Sequence, residues 1–324
     1  MSETKNQGIV ISLGSVNADF QVRTDKKPGE TTTMLAHDFK RFSGGKAANV
    51  AFIARRMGAK SSIIAHVGND DLHKQALGAL EEMEIDLSNV KKVEGATTGF
   101  SMIAVPPDGK KNIILATNAN DAWDDSDKEV VAQAIRKAPD GSVLVVDYEV
   151  PPFIVDHAIH TARERGFPII LDPSPTDRVN QSLLSCIDYI VPDASETEAL
   201  TGIWPDSEES ATKAAHKLLE TGVKTVMVKL EDGGCVAANS KNRCYIPPLS
   251  VEVVDSTGAG DAFAGALAVA VLEKQDLQEA ACFAVAASVA AVTAYGSQPA
   301  YPSREQHRKF YEKVSANISK KHEH

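Results

Sequence analysis

The chain has 324 residues, with 44 acidic against 34 basic side chains and a formal net charge of -10. That balance speaks against a nucleic-acid or anionic-membrane surface, since either needs clustered positive charge. Hydrophobic residues at 43% and charged residues at 24% are ordinary for a globular protein, and no apolar run approaches the roughly 20 residues that span a bilayer.

In chain order, Met1–Gly8 is polar and lacks the apolar centre of a signal peptide, which predicts a cytoplasmic chain. Residues 9–13 read as a short buried strand. Residues 46–57 read as a helix ended by Gly58, 61–67 as a buried strand, and Gly68-Asn69-Asp70 as a turn before a helix over 72–83. The alternation returns with strands at 143–147, 168–172, 189–191 and 225–230, and helices at 153–165, 195–200 and 207–220. It predicts an α/β fold: a mostly parallel sheet with helices on both faces and ligands at the carboxyl ends of the strands. Asp147, Asp172 and Asp193 lie at or just past such ends.

Two segments break this pattern. Residues 21–41 contain Pro28-Gly29-Glu30 followed by Thr31-Thr32-Thr33. Residues 95–117 contain an apolar run, a turn at Pro107-Asp108-Gly109 and a second run at 112–115, which predicts a hairpin. Both segments are expected to leave the main sheet and form a small β lid that keeps water from the site. Further on, residues 262–272 and 280–294 are Ala-rich and read as packed core helices. Cys186, Cys235, Cys244 and Cys282 show no CxxC pairing and read as reduced core thiols. His157 and His160 read as a solvated helix face; zinc would need a third ligand that is not evident.

Val254-Asp255-Ser256-Thr257-Gly258-Ala259-Gly260-Asp261 carries the strongest chemical signal. Three small residues, Gly258, Ala259 and Gly260, bare their amides where a helix begins, and the helix dipole adds about half a positive charge. The result is an anion site. Asp261 stands at its mouth. A helix cap would explain that residue alone; the sharper reading is a general base that takes a proton from a hydroxyl attacking a phosphate. Neither the dinucleotide fingerprint nor the P-loop fits: Phe263 stands where the first needs a small residue, and Gly45-Lys46 is followed by Ala47.

A second motif, Phe42-Ser43-Gly44-Gly45-Lys46-Ala47-Ala48-Asn49, joins Gly14-Ser15-Val16-Asn17-Ala18-Asp19 and the segment from Asp255 to Asp261 in an order that resembles the ribokinase (PfkB-type) family of carbohydrate kinases. The resemblance runs from about residue 8 to 312. It implies a ribokinase-like fold over 8–312, a lid inserted from about 15–42 and 95–117 that often forms a dimer contact, and polar tails at 1–7 and 313–324. It also implies sugar contacts at Asn17, Asp19, Gly45, Lys46, Asn49 and Glu149, with a surface loop residue as the other reading of Glu149. Asn118 and Asn120 end the second lid segment and could face substrate.

By the same resemblance, Asp193 and Glu196 stand where an Asn-x-x-Glu motif organises magnesium through water around ATP. Helix capping is the other reading of Asp193. Lys229, Gly234 and Gly260 fall at nucleotide positions, with Glu231 in place of the usual Gly and Lys229 open to a solvated reading. Asp255, Thr257, Ala291, Ala294, Gly296 and Ala300 match the positions that bind a monovalent cation, typically potassium, though the pattern usually has Arg at 294 and Ser at 300. The implied reaction is ATP-dependent phosphorylation of a primary hydroxyl of a small sugar, with D-ribose first. Fructose or another ketose, 2-keto-3-deoxygluconate or a nucleoside are the alternatives. A silent sugar-binding regulator is disfavoured by the intact Gly258–Asp261 motif, and a nicotinamide oxidoreductase by the missing glycine fingerprint.

Overall fold

The computed structural model describes residues 8–29 and 33–321. The expected tail over 1–7 and the Glu30-Thr31-Thr32 part of the first lid segment lie outside those residues. The chain opens with β1 (Val10–Leu13), β2 (Asn17–Arg23), β3 (Lys40–Gly44), α1 (Lys46–Arg56), β4 (Ser61–Gly68), α2 (Leu72–Glu82) and β5 (Asp86–Val93). It continues through β6 (Gly99–Val105), β7 (Asn112–Ala116), α3 (Asp127–Lys137), β8 (Val143–Val146), α4 (Pro152–Glu164), β9 (Ile169–Leu171), β10 (Tyr189–Ile190), α5 (Ala194–Thr201) and α6 (Glu208–Leu219). It ends with β11 (Thr225–Lys229), β12 (Cys235–Asn239), β13 (Arg243–Ile246), α7 (Ala259–Leu272), α8 (Leu277–Ala291) and α9 (Arg304–Lys321).

The main sheet has nine strands in the order β13-β12-β11-β10-β9-β8-β1-β4-β5. It is parallel from β11 to β5, and β12 and β13 turn back antiparallel. β1 is buried along its length because both its faces carry helices. Successive side chains point to opposite faces of a strand, so Val10 joins one apolar core while Ile11 and Leu13 join the other; Val143 and Val145 divide likewise from Leu144 and Val146. One core is closed by α1, α2, α7, α8 and α9, the other by α3, α4 and α6. The Ala-rich α7 and α8 are buried over most of their length. α8 begins at Leu277 because Asp276 caps it and Glu279 closes the capping box, and it ends at Ala291 rather than at 294. Among the described residues no helix is long and apolar enough to cross a membrane.

The second sheet, β3-β2-β6-β7, is the one foreseen from the two segments that break the alternation. β6 alternates strictly: Ser101 and Ile103 face inward, whereas Met102 is 55% exposed. The tip of the β6–β7 hairpin is tied down on the anion loop. Ser256 donates from N and Oγ to the Gly109 carbonyl, and Lys111 Nζ donates to the Ser256 carbonyl at 3.0 Å.

Three further features differ from expectation or were not foreseen. The stretch expected as a polar tail from 313 continues α9 to Lys321, and Val314 and Ile318 are buried in the core. β5 carries Lys91, Lys92 and little apolar sequence, as suits an edge strand, so no apolar run marks it. Cys186 and Cys244 are only half-buried, while Cys235 and Cys282 are core residues; all four are free thiols.

Candidate active site

A cleft of about 920 Å³ lies between the lid and the carboxyl ends of the main strands. Asn17, Asp19, Gly45, Lys46, Asn49, Glu149, Asp193, Glu196, Lys229, Thr257, Gly258, Ala259, Gly260 and Asp261 all line it. Residues more than 240 positions apart in sequence thus meet at one surface.

At the lid end, Asn17 and Asp19 project from the same face of β2. Asp19 accepts a hydrogen bond from Ser101 Oγ, and Asn17 Oδ1 accepts one from Asn120 Nδ2 at 2.7 Å. Asn120 also accepts from the Val16 amide at 3.0 Å and is fully buried, so it stands behind Asn17 and off the cleft wall. Asn118 points elsewhere, donating to the Thr98 carbonyl at 3.2 Å. Gly45 opens α1 at φ 92, and a Cβ there would sit 2.5 Å from the Ser15 carbonyl oxygen. Only glycine fits both constraints. Glu149 is held by Ser15 Oγ, and its own amide donates to Asp147 Oδ1 at 2.8 Å.

Lys46 is the cation at the centre. Its Nζ lies 2.8 Å from Asp172 Oδ2 and 3.6 Å from Asp261 Oδ1. Burial works against the charged lysine, but Asp172, Asp261, Glu149 and Glu196 outweigh it and hold Lys46 well above its ordinary value. Burial would likewise raise Asp172, yet Lys46 and Lys229 hold it below the usual carboxylate range. Asp19 goes the other way. Burial pushes it up, the Ser101 hydrogen bond pulls it back, and the charges of Asp261 and Glu149 leave it at about 7. Glu196 also rises to about 7, through burial first and then the charge of Asp172.

The loop read as an anion site runs into the start of α7. Gly258 caps α7 in the left-handed region at φ 75, where a Cβ would come within 2.4 Å of the Tyr301 hydroxyl. Tyr301 donates to the Gly258 carbonyl at 2.9 Å and so fixes the turn. The first amides of a helix have no intrahelical partner. Lys229 Nζ lies over this nest, 3.4 Å from where a Cβ on Gly260 would stand. Asp261 occupies the first turn and is 7% exposed. Asn49 Nδ2 donates to its Oδ2 at 2.7 Å, and Gln298 Nε2 donates to Asn49 Oδ1 at 3.1 Å. Asn49, expected as a sugar contact, therefore also aims the carboxylate.

Several residues stand differently from expectation. Gly233, at φ 90, faces the cleft, whereas Gly234 sits behind it with its amide donating to Asp232 Oδ1 at 2.8 Å. Asp193 caps α5 in a capping box with Glu196, and both still line the cleft. Asp255, Ala291, Ala294, Gly296 and Ala300, expected at a cation site and not on the cleft wall, do not line it. Ser101, Asp172 and Gln298 were not foreseen as site residues; only the position of Asp172 at a strand end marked it.

An amide nest beside a carboxylate held by Asn49 and Gln298, facing Asn17 and Asp19 across the cleft, suits a phosphotransferase acting on an alcohol. The comparisons agree. The model of the pfkB family carbohydrate kinases matches residues 9–304. The chain is 34% identical to the ribokinase of Haemophilus influenzae over 93% of this chain and 97% of that one. It is 30% identical to the deoxyribokinase of Salmonella typhi over 94% and 98%. The structure of Arabidopsis thaliana ribokinase complexed with ribose and ATP superposes with a TM-score of 0.80 at 30% identity, over 94% of this chain and 99% of that one. The chain belongs to the pfkB family of carbohydrate kinases.

Proposed function

We propose that this enzyme transfers the γ-phosphoryl group of ATP to the primary hydroxyl of a free pentose, D-ribose first. The observation that carries this reading is the placement of Asp261: its carboxylate joins the anion nest of α7 to the pocket of Asn17, Asp19 and Glu149. The similarity to ribokinases supports ribose, and the similarity to deoxyribokinases makes 2-deoxyribose the second candidate.

In this reading Asn17, Asp19 and Glu149 accept sugar hydroxyls, and Asp261 accepts the proton of the attacking hydroxyl. The amides of Gly258, Ala259 and Gly260, with Lys229 above them, stabilise the charge that spreads over the phosphoryl oxygens. Phosphoryl transfer asks for positioning and electrostatics more than for covalent chemistry. The apolar wall of Leu249, Val251, Val289 and Val292 suits an adenine ring. Magnesium fits the carboxylate side: Asp172 Oδ1 is buried without a hydrogen-bond partner, and Glu196 and Asp193 stand beside it on the cleft. Among the described residues no cluster of three or more ligands forms a metal cage, which suits an ion that keeps several waters and binds through few carboxylates and the phosphates. When bound it neutralises phosphate charge.

The test is ADP release across pentoses, hexoses, 2-keto-3-deoxygluconate and nucleosides. Ribose should give the highest kcat/KM, and a larger value for a nucleoside or hexose would overturn the assignment. Asp19 must be ionised to accept two hydroxyls, and its value lies at about 7. The kcat/KM for sugar should therefore rise with pH through about 7 and level off above it.

We further propose that residues 8–321, α9 included, act as one catalytic domain with the small sheet as its lid. The outward apolar lid face at Met102 and Ile114, 55% and 72% exposed, pairs with a second copy of the chain. Sedimentation should show a dimer that Ile114→Lys splits; a monomeric wild type would rule this out.

A further inference from the structure

Asp255 and Gln21 form a buried pair that joins the sugar strand to the anion loop. Both are fully buried. Gln21 follows Asp19 by two residues on β2, so Asn17, Asp19 and Gln21 share one face of that strand. Gln21 Nε2 donates to Asp255 Oδ2, which also accepts the Gly296 amide at 2.9 Å. The other oxygen, Oδ1, accepts the Thr257 amide at 2.9 Å and the Thr257 hydroxyl at 2.6 Å. A carboxylate offers about four lone-pair sites, and four donors fill them here.

Asp255, Thr257 and Gly296 lie at positions where the family resemblance implies a monovalent cation; Gln21 does not. The donor set does not suit one. No lone pair of Asp255 is left for a metal, and Ala300 has a methyl where the usual Ser would supply an oxygen. Gln21 Oε1 is buried without a partner and is the side-chain oxygen left beside Asp255, so a cation would rely on it and on backbone carbonyls. To bind, the ion would need to shed water and turn the Gln21 amide over, which breaks its hydrogen bond to Asp255 and sets Oε1 against the carboxylate oxygen Oδ2. A buried acceptor left unpaired is tolerated more readily than an unpaired donor, so the amide nitrogen keeps its place.

We propose that the Gln21 amide stands at Asp255 in place of a monovalent cation, so that the anion loop is set without potassium. Gln21 is then a positioning residue. It fixes β2, which carries Asn17 and Asp19, against the loop that ends in Gly258–Asp261. The proposal rests on the kinase reading for its kinetic arm alone; its binding arm is independent.

The experiment compares potassium chloride with tetramethylammonium chloride at equal ionic strength. Phosphorylation rate at saturating ATP, Mg2+ and ribose, and the thermal unfolding midpoint of the ligand-free protein, are measured in each. The expected result is the same rate and the same midpoint in both salts. A saturable rise of either with potassium alone would overturn the proposal, since a bound ion must stabilise the folded state. Loss of turnover in every salt would reject the kinase reading and leave the unfolding comparison to decide the role of Gln21. In a second arm, Gln21→Leu, checked for native circular dichroism, should lose about tenfold in kcat without potassium and recover part of it when potassium is added. A variant with wild-type rates in both salts would contradict the positioning role. If Gln21→Leu does not fold, the wild-type comparison still decides.

Discussion

Asp261→Asn is expected to lower kcat by about 10²–10⁴-fold, the range associated with a positioned general base, while leaving sugar binding in place. The geometry explains why so small a change is so costly. Asn49 donates its amide to Asp261 Oδ2, and Gln298 fixes the orientation of Asn49 by donating to its carbonyl. An asparagine at 261 must therefore turn its oxygen toward Asn49 and its NH2 toward the substrate. The attacking hydroxyl then meets a donor where it needs an acceptor, and its proton has no destination. Asn17, Asp19 and Glu149 are untouched, so the sugar still binds. Single-turnover quenched flow separates this from an effect on product release, and titration calorimetry with ribose checks binding. A variant retaining wild-type kcat would remove Asp261 from the chemistry.

Lys46→Met carries the second large effect and acts on stability as well as rate. Lys46 contacts Asp172 and Asp261 and is the cation that offsets the buried carboxylates around it. Removing one partner of a buried pair typically costs 3–5 kcal/mol, because the other charge is left stranded. The pH dependence follows from the directions of the shifts. Lys46 is held above its ordinary value, so its contribution is fully present below about 10.5 and is lost only as pH rises through the higher folded value. Asp172 is held below its ordinary value, so its contribution is present above about 3.8 and is lost as pH falls through the lower folded value. Both count fully at neutral pH. The deficit of Lys46→Met should therefore be largest near pH 8 and shrink as acid protonates the stranded carboxylates. Turnover should fall about 10²–10³-fold, as for loss of one preorganised electrostatic donor, because Lys46 lies against Asp261. Urea denaturation across pH measures the first effect, and equal deficits at pH 8 and pH 5 would contradict it.

Much of this site was legible because its parts are local. The Gly258–Asp261 nest, the Gly45-Lys46 turn and the Asn17-x-Asp19 strand each announce themselves within a few residues. Small side chains bare amides, and glycine alone tolerates the positive φ at 45 and 258. The lid was legible for the opposite reason, as two segments that break the βα rhythm. What escaped notice is carried by distance. Gln298 reaches Asn49 across 249 positions and Gln21 reaches Asp255 across 234, and no local pattern marks either glutamine. Gly233 and Gly234 are adjacent glycines, and only the turn closed by Asp232 decides which faces the cleft. The part of α9 from residue 313 reads as a tail because Val314 and Ile318 are isolated apolar residues in a charged run, buried only once α8 and the sheet are in place.

The central claim is that Asp261 deprotonates the alcohol while the nest steadies the phosphoryl group. A crystal structure of the ternary complex with ribose and a non-hydrolysable ATP analogue tests it most directly. The expected result places an Asp261 oxygen about 2.6–3.2 Å from the primary hydroxyl, with the γ-phosphate on the amides of Gly258, Ala259 and Gly260. A complex in which both substrates are bound, but Asp261 turns away and another carboxylate holds that hydroxyl, would contradict it.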